Sequence, residues 1–500
     1  MKRILSALLV ALLLFTVAAC TPAESESKDT PNNSTTSTAG DVSEDVSDVV
    51  YIKPDVSYNG STLKILGKRD GAHLYAERQW VYSEDLDGEI INDNVLTRNE
   101  WIKATFGVTI EYTADSEYFI LNTVINNKNA DFDEYDLVCD GLETLGSLAL
   151  QEALDPLNDT EYINITAPYW DTRCIETLTI GDDVYFLAGD ALITDDEYTY
   201  CVIYNKTMFE DLALNSETNG KAVYTLVDEN KWTYDILGKL SKASAADIDG
   251  ISGMSYDGDR WGIVSDIGCV YILMAGSGYK TIIFDGDRNP VVNPFNDKVV
   301  NVFTAVSNIL NDAASSKFAE RISAPDGQYY AAAQDMFGEG RTFAQICKVS
   351  SISSFASDYD VDFGVLPIPM YSDDQDGYYN PVASLHFSAL AIPTTNVEDA
   401  EMTRVVMEAL AYKGQELLTP AYIETTLKLK KLQDDNDFRM VELVLKTRGF
   451  DIGIIYNIGG LASFYNKFAA TGNTNLAHEW ESIQSAIEVD LDKLNTAFGR

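Results

Sequence analysis

The stretch Asp183 to Leu214, DVYFLAGDALITDDEYTYCVIYNKTMFEDLAL, constrains the fold of this chain more than any other. Val184 to Leu187 and Tyr198 to Tyr204 have the β-branched and aromatic composition of strands, and Asn205-Lys206 opens a helix. A strand pair followed by a helix start is where a bilobal α/β chain leaves one lobe for the other. Ligand-facing residues are expected to gather beside such a crossing.

Upstream of the crossing, strand and helix signals alternate. Ser61 to Gly67 alternates apolar residues and stops at glycine, as a strand does, and the loop Lys68 to Asp87 after it carries Arg69, Asp70, Trp80 and Tyr82. Ile91 to Thr105 places Val95, Trp101 and Ile102 near one helical face, with Asn92 as cap and Phe106-Gly107 as terminator. Val108 to Tyr112 reads as a strand, Phe119 to Ile125 as a helix, and Tyr135 to Cys139 as a short apolar strand ending at Asp140-Gly141. This order demands parallel pairing with crossover helices. The carboxyl ends of such strands aim their loops at the ligand crevice, which singles out Asp140 and Glu143 from the 78 acids. A competing role for Asp140 is to cap a helix running from Glu143 to Leu154. Pro168-Tyr169-Trp170 then offers flat, rigid surface beside Asp171; aromatic faces bind the C–H side of a sugar ring, and core packing is the other use of Trp170.

Downstream, Lys231 to Ala243, Val299 to Asn311 and Tyr329 to Phe337 read as helices, and Phe343 to Val349 as a strand leading into a serine cluster, Ser350 to Ser354. DFGVLPIP, Asp362 to Pro369, leaves the second lobe as an extended segment because its prolines forbid helix. Ser388 to Pro393 returns in the first lobe, and Glu398 to Arg500 is mostly helical, interrupted at Tyr456 to Tyr465. Asp247, Asp249, Asp257 and Asp259 hint at a calcium loop, but Ser252 stands where an EF-hand needs glycine, so a solvated acidic loop is expected. Gly276 to Thr281 lacks the glycine immediately before lysine that a phosphate loop requires. His73, His386 and His478 are far apart and match no zinc pattern. No metal and no organic cofactor is expected.

The N-terminus bounds location. Lys2 and Arg3 precede an apolar run, Ile4 to Val17, too short to span a bilayer, and Val17-Ala18-Ala19-Cys20 resembles a bacterial lipobox with Cys20 as the lipidated residue. Residues 1–19 are thus expected to be a signal peptide. Residues 20–58 are expected to be a flexible tether, rich in Ser, Thr, Pro, Asn and acids and poor in large apolar groups. Without the signal, 34 basic residues face 78 acidic ones, a formal charge of −44 that argues against nucleic acid as a partner. Cys139, Cys174, Cys201, Cys269 and Cys347 form no CxxC pattern and are expected as small buried hydrophobes. The rest, residues 59–500, is long enough for two lobes.

The order of DVYFLAGD, VIYNKTMFED, WTYDILGKL, FGEGRTFA, DFGVLPIP and SALAIPTT along the chain resembles that of the extracellular solute-binding proteins, family 1, which deliver sugars to ATP-driven importers. The resemblance implies an α/β, two-lobed periplasmic-binding-protein type II fold that closes about a hinge, with residues 59–200 and 366–412 in lobe 1 and 201–365 and 413–500 in lobe 2. By position it implies ligand contacts from Arg69 and Asp70, Asp140 and Glu143, Asp266, Ser350, and Phe464 with Tyr465. Sugar binders of this kind place an aromatic residue at the second-lobe strand end, whereas this chain has Lys348-Val349-Ser350. The implied protein is a monomer, not an enzyme, held outside the cell by its lipid, with a small polar ligand (a sugar above all) and the transmembrane subunits of an ABC permease as partners. Two other readings stay open: a surface glycoside hydrolase using paired carboxylates, and a solute sensor for a membrane receptor.

Overall fold

Strands form where the alternation and β-branching lie: β1 (Ser61–Lys68), β2 (Val108–Asp115), β3 (Leu137–Gly141), β4 (Tyr200–Asn205) and β5 (Trp261–Ser265). They continue as β6 (Ile282–Phe284), β7 (Pro290–Val292), β8 (Ser316–Phe318), β9 (Thr342–Lys348), β10 (Phe363–Leu366), β11 (Asn380–Pro381), β12 (Ser388–Ala391) and β13 (Arg448–Gly449). This computed structural model describes residues 51–68, 80–115, 117–158, 160–324, 327–428, 432 and 435–499. All of them belong to one unit, Asp48–Arg500. Cys20, Arg69 and Asp70 lie outside the described residues.

Two sheets carry the architecture. The first has the order β12-β3-β1-β2 and the second β10-β4-β9-β5-β8. β1 pairs parallel with β2 and β3, with Leu63 opposite Ile110 and Leu66 opposite Val138, and β12 closes that edge antiparallel. In the second sheet β5 is parallel to β8 and β9, while β4 runs antiparallel to β9 and β10. Leu63, Ile65 and Leu66 of β1 are all fully buried, as in a parallel sheet covered on both faces. One apolar cluster packs Ile102, Phe106, Val406 and Leu410 onto the first sheet; a larger one runs from Leu66 and Val138 to Val202, Ile263 and Phe343 of the second. The sheets, each covered by helices, give the expected α/β class, and the larger cluster runs continuously from one sheet to the other.

Local expectations hold with identifiable exceptions. The helix Ile90–Phe106 ends at Gly107, whose φ of 71° suits glycine, but its cap is Glu89, which accepts from the Ile91 and Asn92 amides at 2.9 and 3.0 Å. Asn92 instead donates from Nδ2 to Asp87 at 2.6 Å, so it sits inside the first turn. The serine cluster is helical, Ser350–Asp358, because Ile352 and Phe355, three residues apart, both find the core. Val184 to Leu187 contributes only a bridge, Leu187 to Leu390, and Thr194–Glu197 makes a helical turn that delays β4 to Tyr200.

One side chain ties together stretches that lie far apart in sequence. Arg448 lies in β13, paired with β11. Its Nη1 meets Asp171 Oδ2 at 3.0 Å and Asp195 Oδ2 at 3.1 Å, and its Nη2 meets Asp196 Oδ1 at 2.8 Å. Burial, and the repulsion of three carboxylates sharing one guanidinium, raise the proton affinity of Asp195; burial does the same for Asp196, while Arg448 stays charged. Beside them, Asp190 accepts from Gln415 Nε2 at 3.0 Å and from the Thr419 hydroxyl, and burial pushes its carboxyl up to about 7.

The helix Ala400–Pro420 can approach Asp190 only because position 414 is glycine: a Cβ there would stand 1.7 Å from the Asp190 carbonyl oxygen. In an exposed helix, Gly→Ala gains about 1 kcal/mol; here Gly414→Ala is expected to lower stability by about 1–3 kcal/mol, measured by urea denaturation. Arg448→Met leaves buried carboxylates uncompensated and is expected to cost about 3–5 kcal/mol at pH 7. Because protonated acids need no guanidinium, that deficit shrinks as pH falls toward the ordinary carboxylate range near 4, which the same denaturation series at pH 7, 5.5 and 4.5 reads out.

Candidate functional site

Parallel strands direct their carboxyl ends toward a common crevice, and here four such ends carry polar side chains: Lys68 at the end of β1, Asp140 in β3, Asp266 after β5, and Lys348 at the end of β9 with Ser350 beyond it. On the first sheet, Lys68 Nζ lies 3.2 Å from Asp140 Oδ1 and donates to the Leu385 carbonyl at 2.6 Å; both side chains are buried. The Gly141 amide donates to the same carboxylate oxygen at 2.6 Å. Asp140 therefore does not cap the following helix, Leu142–Leu150, whose N-cap Gly141 has no side-chain bond. Burial raises the proton affinity of Asp140, and Lys68 opposes the rise. Its Oδ2 has no hydrogen bond of good geometry. Gly141 is required beside it, since a Cβ would sit 2.0 Å from the Leu385 carbonyl oxygen.

Glu143 continues this wall. Ser384 Oγ donates to its Oε1 at 2.6 Å, and burial raises its carboxyl above the ordinary range. Opposite, on the second sheet, Asp266 accepts from the Gly268 amide at 2.7 Å, and burial and the charge of Glu320 push its carboxyl up. Tyr200 and Tyr271 lie near both groups of acids. Burial raises both hydroxyls far above their usual value, and each also lies in the field of Glu143: Tyr200 together with Asp266, Tyr271 together with Asp451 and Tyr465. Lys348 stands over the Tyr198 ring at 5.0 Å, and the His386 ring is 5.7 Å from that tyrosine. The Tyr198 hydroxyl is buried and without a hydrogen-bond partner.

The structure sets Asp140 and Glu143 at the end of β3 and Asp266 just past β5, with Tyr200 in the field of both Glu143 and Asp266, and it places Ser350 at the start of the helix that follows β9. Tyr465 reaches the margin, its ring 6.0 Å from Tyr271, whereas Phe464 packs away from it, 6.1 Å from Trp480 and 5.5 Å from Phe468. Trp170 is not among them. It is 2% exposed, and its indole N–H donates to Glu408 Oε2 at 3.0 Å, so the flat face expected to stack on a ligand is spent inside the first lobe's core. Lys68, Tyr198, Tyr200, Tyr271 and His386 went unnoticed as site residues in the sequence. Lys68 and Tyr200 had a signal, since each ends or begins a strand at its crevice end; Tyr271 and His386 had none. Asp247, Asp249 and Asp259 come close to one another, but Asp259 accepts from the Ile248, Asp249 and Ser255 amides and Asp249 from the Ile251 amide, so these acids fold their own loop.

No family model and no curated protein matches this sequence. Solved structures do match in fold. The cyclic α-maltosyl-1,6-maltose binding protein of Arthrobacter globiformis superposes with a TM-score of 0.56 at 12% identity, over 86% of this chain and 98% of its own. The sugar-binding protein MalE of Xanthomonas citri gives 0.56 at 12% identity, over 88% and 100%. The MalE maltose/maltodextrin-binding domain of Bdellovibrio bacteriovorus, bound to maltotriose, gives 0.51 at 14% identity, over 88% and 100%. The chain has the two-lobed periplasmic-binding-protein type II fold that these structures share.

Burial, together with Lys348 and Lys68, lowers the His386 imidazole from 6.5 to about 3. A group depressed in the folded state holds its contribution above the unfolded value and loses it as pH falls. Between pH 6.5 and 4 the protein is thus expected to lose roughly 3 kcal/mol that His386→Gln does not lose, read from paired melting curves across that range.

Proposed function

We propose that this chain is a lipid-anchored, extracellular solute-binding protein that captures a small polar ligand, an oligosaccharide, between its lobes and delivers it to an ABC permease. One observation carries the reading: the strand ends of both sheets converge on buried acceptors, Asp140 Oδ2 and the Tyr198 hydroxyl, that the protein's own donors leave unmatched. Buried unmatched polar atoms cost free energy unless something binds them. Sugar hydroxyls are both donors and acceptors, and the three fold relatives above are each named for a sugar. The site also holds more carboxylates than ammonium groups, which favours a neutral polyol over an anion. Lobe 1 in this reading comprises residues 59–200 and 366–412, and lobe 2 residues 201–365 and 413–500, with Cys20 as the lipid attachment and Arg69 and Asp70 completing the wall after β1.

The mechanism is a shift between open and closed arrangements. A ligand held by Asp140 and Glu143 on one side and by Tyr200, Asp266 and Ser350 on the other makes its full set of contacts only when the lobes meet, so it stabilises the closed form by the extra contacts available there. Calorimetric titration of the chain from residue 20 onward against neutral oligosaccharides, uronates and peptides tests this. At least one neutral sugar is expected to bind, and Asp140→Asn to weaken it about tenfold or more, roughly 1.4 kcal/mol. A response to peptides alone would end the sugar assignment, and sugar hydrolysis during the titration would end the binding-protein reading.

A further inference from the structure

Cys201 and Cys347 are 146 positions apart in sequence, and nothing in their flanks links them. The second sheet sets them directly opposite each other: in the antiparallel pair β4 and β9, Tyr200 faces Lys348, Cys201 faces Cys347 and Val202 faces Ile346. Residues directly opposite project to the same face of a sheet. The Val349 amide donates to the Thr199 carbonyl at 3.0 Å, which places Cys201 and Cys347 two residues further along at a hydrogen-bonded pair. Such pairs have Cα atoms about 5.5 Å apart, inside the roughly 4.4–6.8 Å range of disulfides. The two thiols are within hydrogen-bonding reach of each other, and both cysteines are buried.

We propose that Cys201 and Cys347 form a disulfide across the second sheet when this chain folds in an oxidising medium. Register puts both side chains on one face with their Cα atoms in range, and closing the bond draws the Cβ atoms from about 5 Å toward the roughly 3.5–4.5 Å of a disulfide. The chemistry balances with a low-molecular-weight disulfide as oxidant. One cysteine thiolate attacks it to give a mixed disulfide and release one small thiol. The second cysteine thiolate then displaces the other small thiol and closes the Cys201–Cys347 bond, so two electrons and two protons end on the oxidant. Because both sulfurs are buried in the finished sheet, exchange belongs to the stage when β4 and β9 are coming together. The bond would tie the first strand after the crossing to the strand that ends in Lys348, and so hold Tyr200 and Lys348 in step at the candidate site. The inference is independent of which solute binds.

The test is to refold the chain from residue 20 onward, carrying Cys20→Ser, in mixed oxidised and reduced glutathione, and separately with reductant alone. Each sample is alkylated in denaturant, digested and analysed by mass spectrometry. Oxidative refolding is expected to leave three alkylated cysteines, Cys139, Cys174 and Cys269, to yield one cross-linked peptide joining Cys201 to Cys347, and to raise Tm by several degrees over the reduced sample. Cys201→Val with Cys347→Val should abolish the cross-link and make Tm indifferent to the redox buffer. Five alkylated cysteines after oxidative refolding, a stable glutathione adduct in place of the internal bond, or a bond from Cys347 to Cys269 would each overturn the proposal.

Discussion

One guanidinium ties together stretches of this chain that lie far apart in sequence. Taking a charge out of water costs several kcal/mol, and three carboxylates are recovered from that cost only because Arg448 reaches all three with both terminal nitrogens. The residues it joins come from distant parts of the chain: Asp171 caps the helix Thr172–Leu178, Asp195 and Asp196 lie at the entry to β4, and Arg448 itself lies in β13, paired with β11. Hydrophobic packing is non-directional and does not by itself specify how two lobes are connected. A planar fork with directional donors does.

The same directionality organises the crevice. Lys68 is tied to Asp140 and to the Leu385 carbonyl, so the first wall is built by the loop before β12 as much as by β1 and β3. Tyr200 and Tyr271 lie in the field of Glu143. The carboxylates there are disposed toward protonation because they are buried more completely than they are paired. A neutral molecule with many hydroxyls relieves that imbalance at least electrostatic cost, since it brings donors without bringing a second charge.

Much of this was legible from periodicity. The strands at Ser61, Val108, Thr342, Phe363 and Ser388 and the helices at Ile90, Asp297 and Tyr329 follow patterns set within ten or twenty residues, which is the range over which side-chain alternation and capping act. Asp140 and Glu143 were singled out by their place at the end of β3, whereas Asp266 and Ser350 were reached only through the family resemblance, and they lie just past β5 and β9. Trp170 was misplaced because an aromatic beside an acid has the same sequence signature whether it faces solvent or Glu408, and Glu408 is 238 residues away. Asn92 lost the cap to Glu89 because either residue suits the helix start, and Asp87 drew Asn92 inward.

By itself, the sequence determined the class of the fold and the order in which the chain visits its two sheets, because strand and helix propensities and the strand-helix alternation are short-range. Tertiary structure alone decided what meets what: Arg448 with three aspartates, Lys68 with Asp140, Gly414 against Asp190, Cys201 opposite Cys347. Those pairings depend on how separate stretches pack and register. A shift of one residue in a strand reverses every side chain on it, and no local pattern records which distant strand will lie alongside.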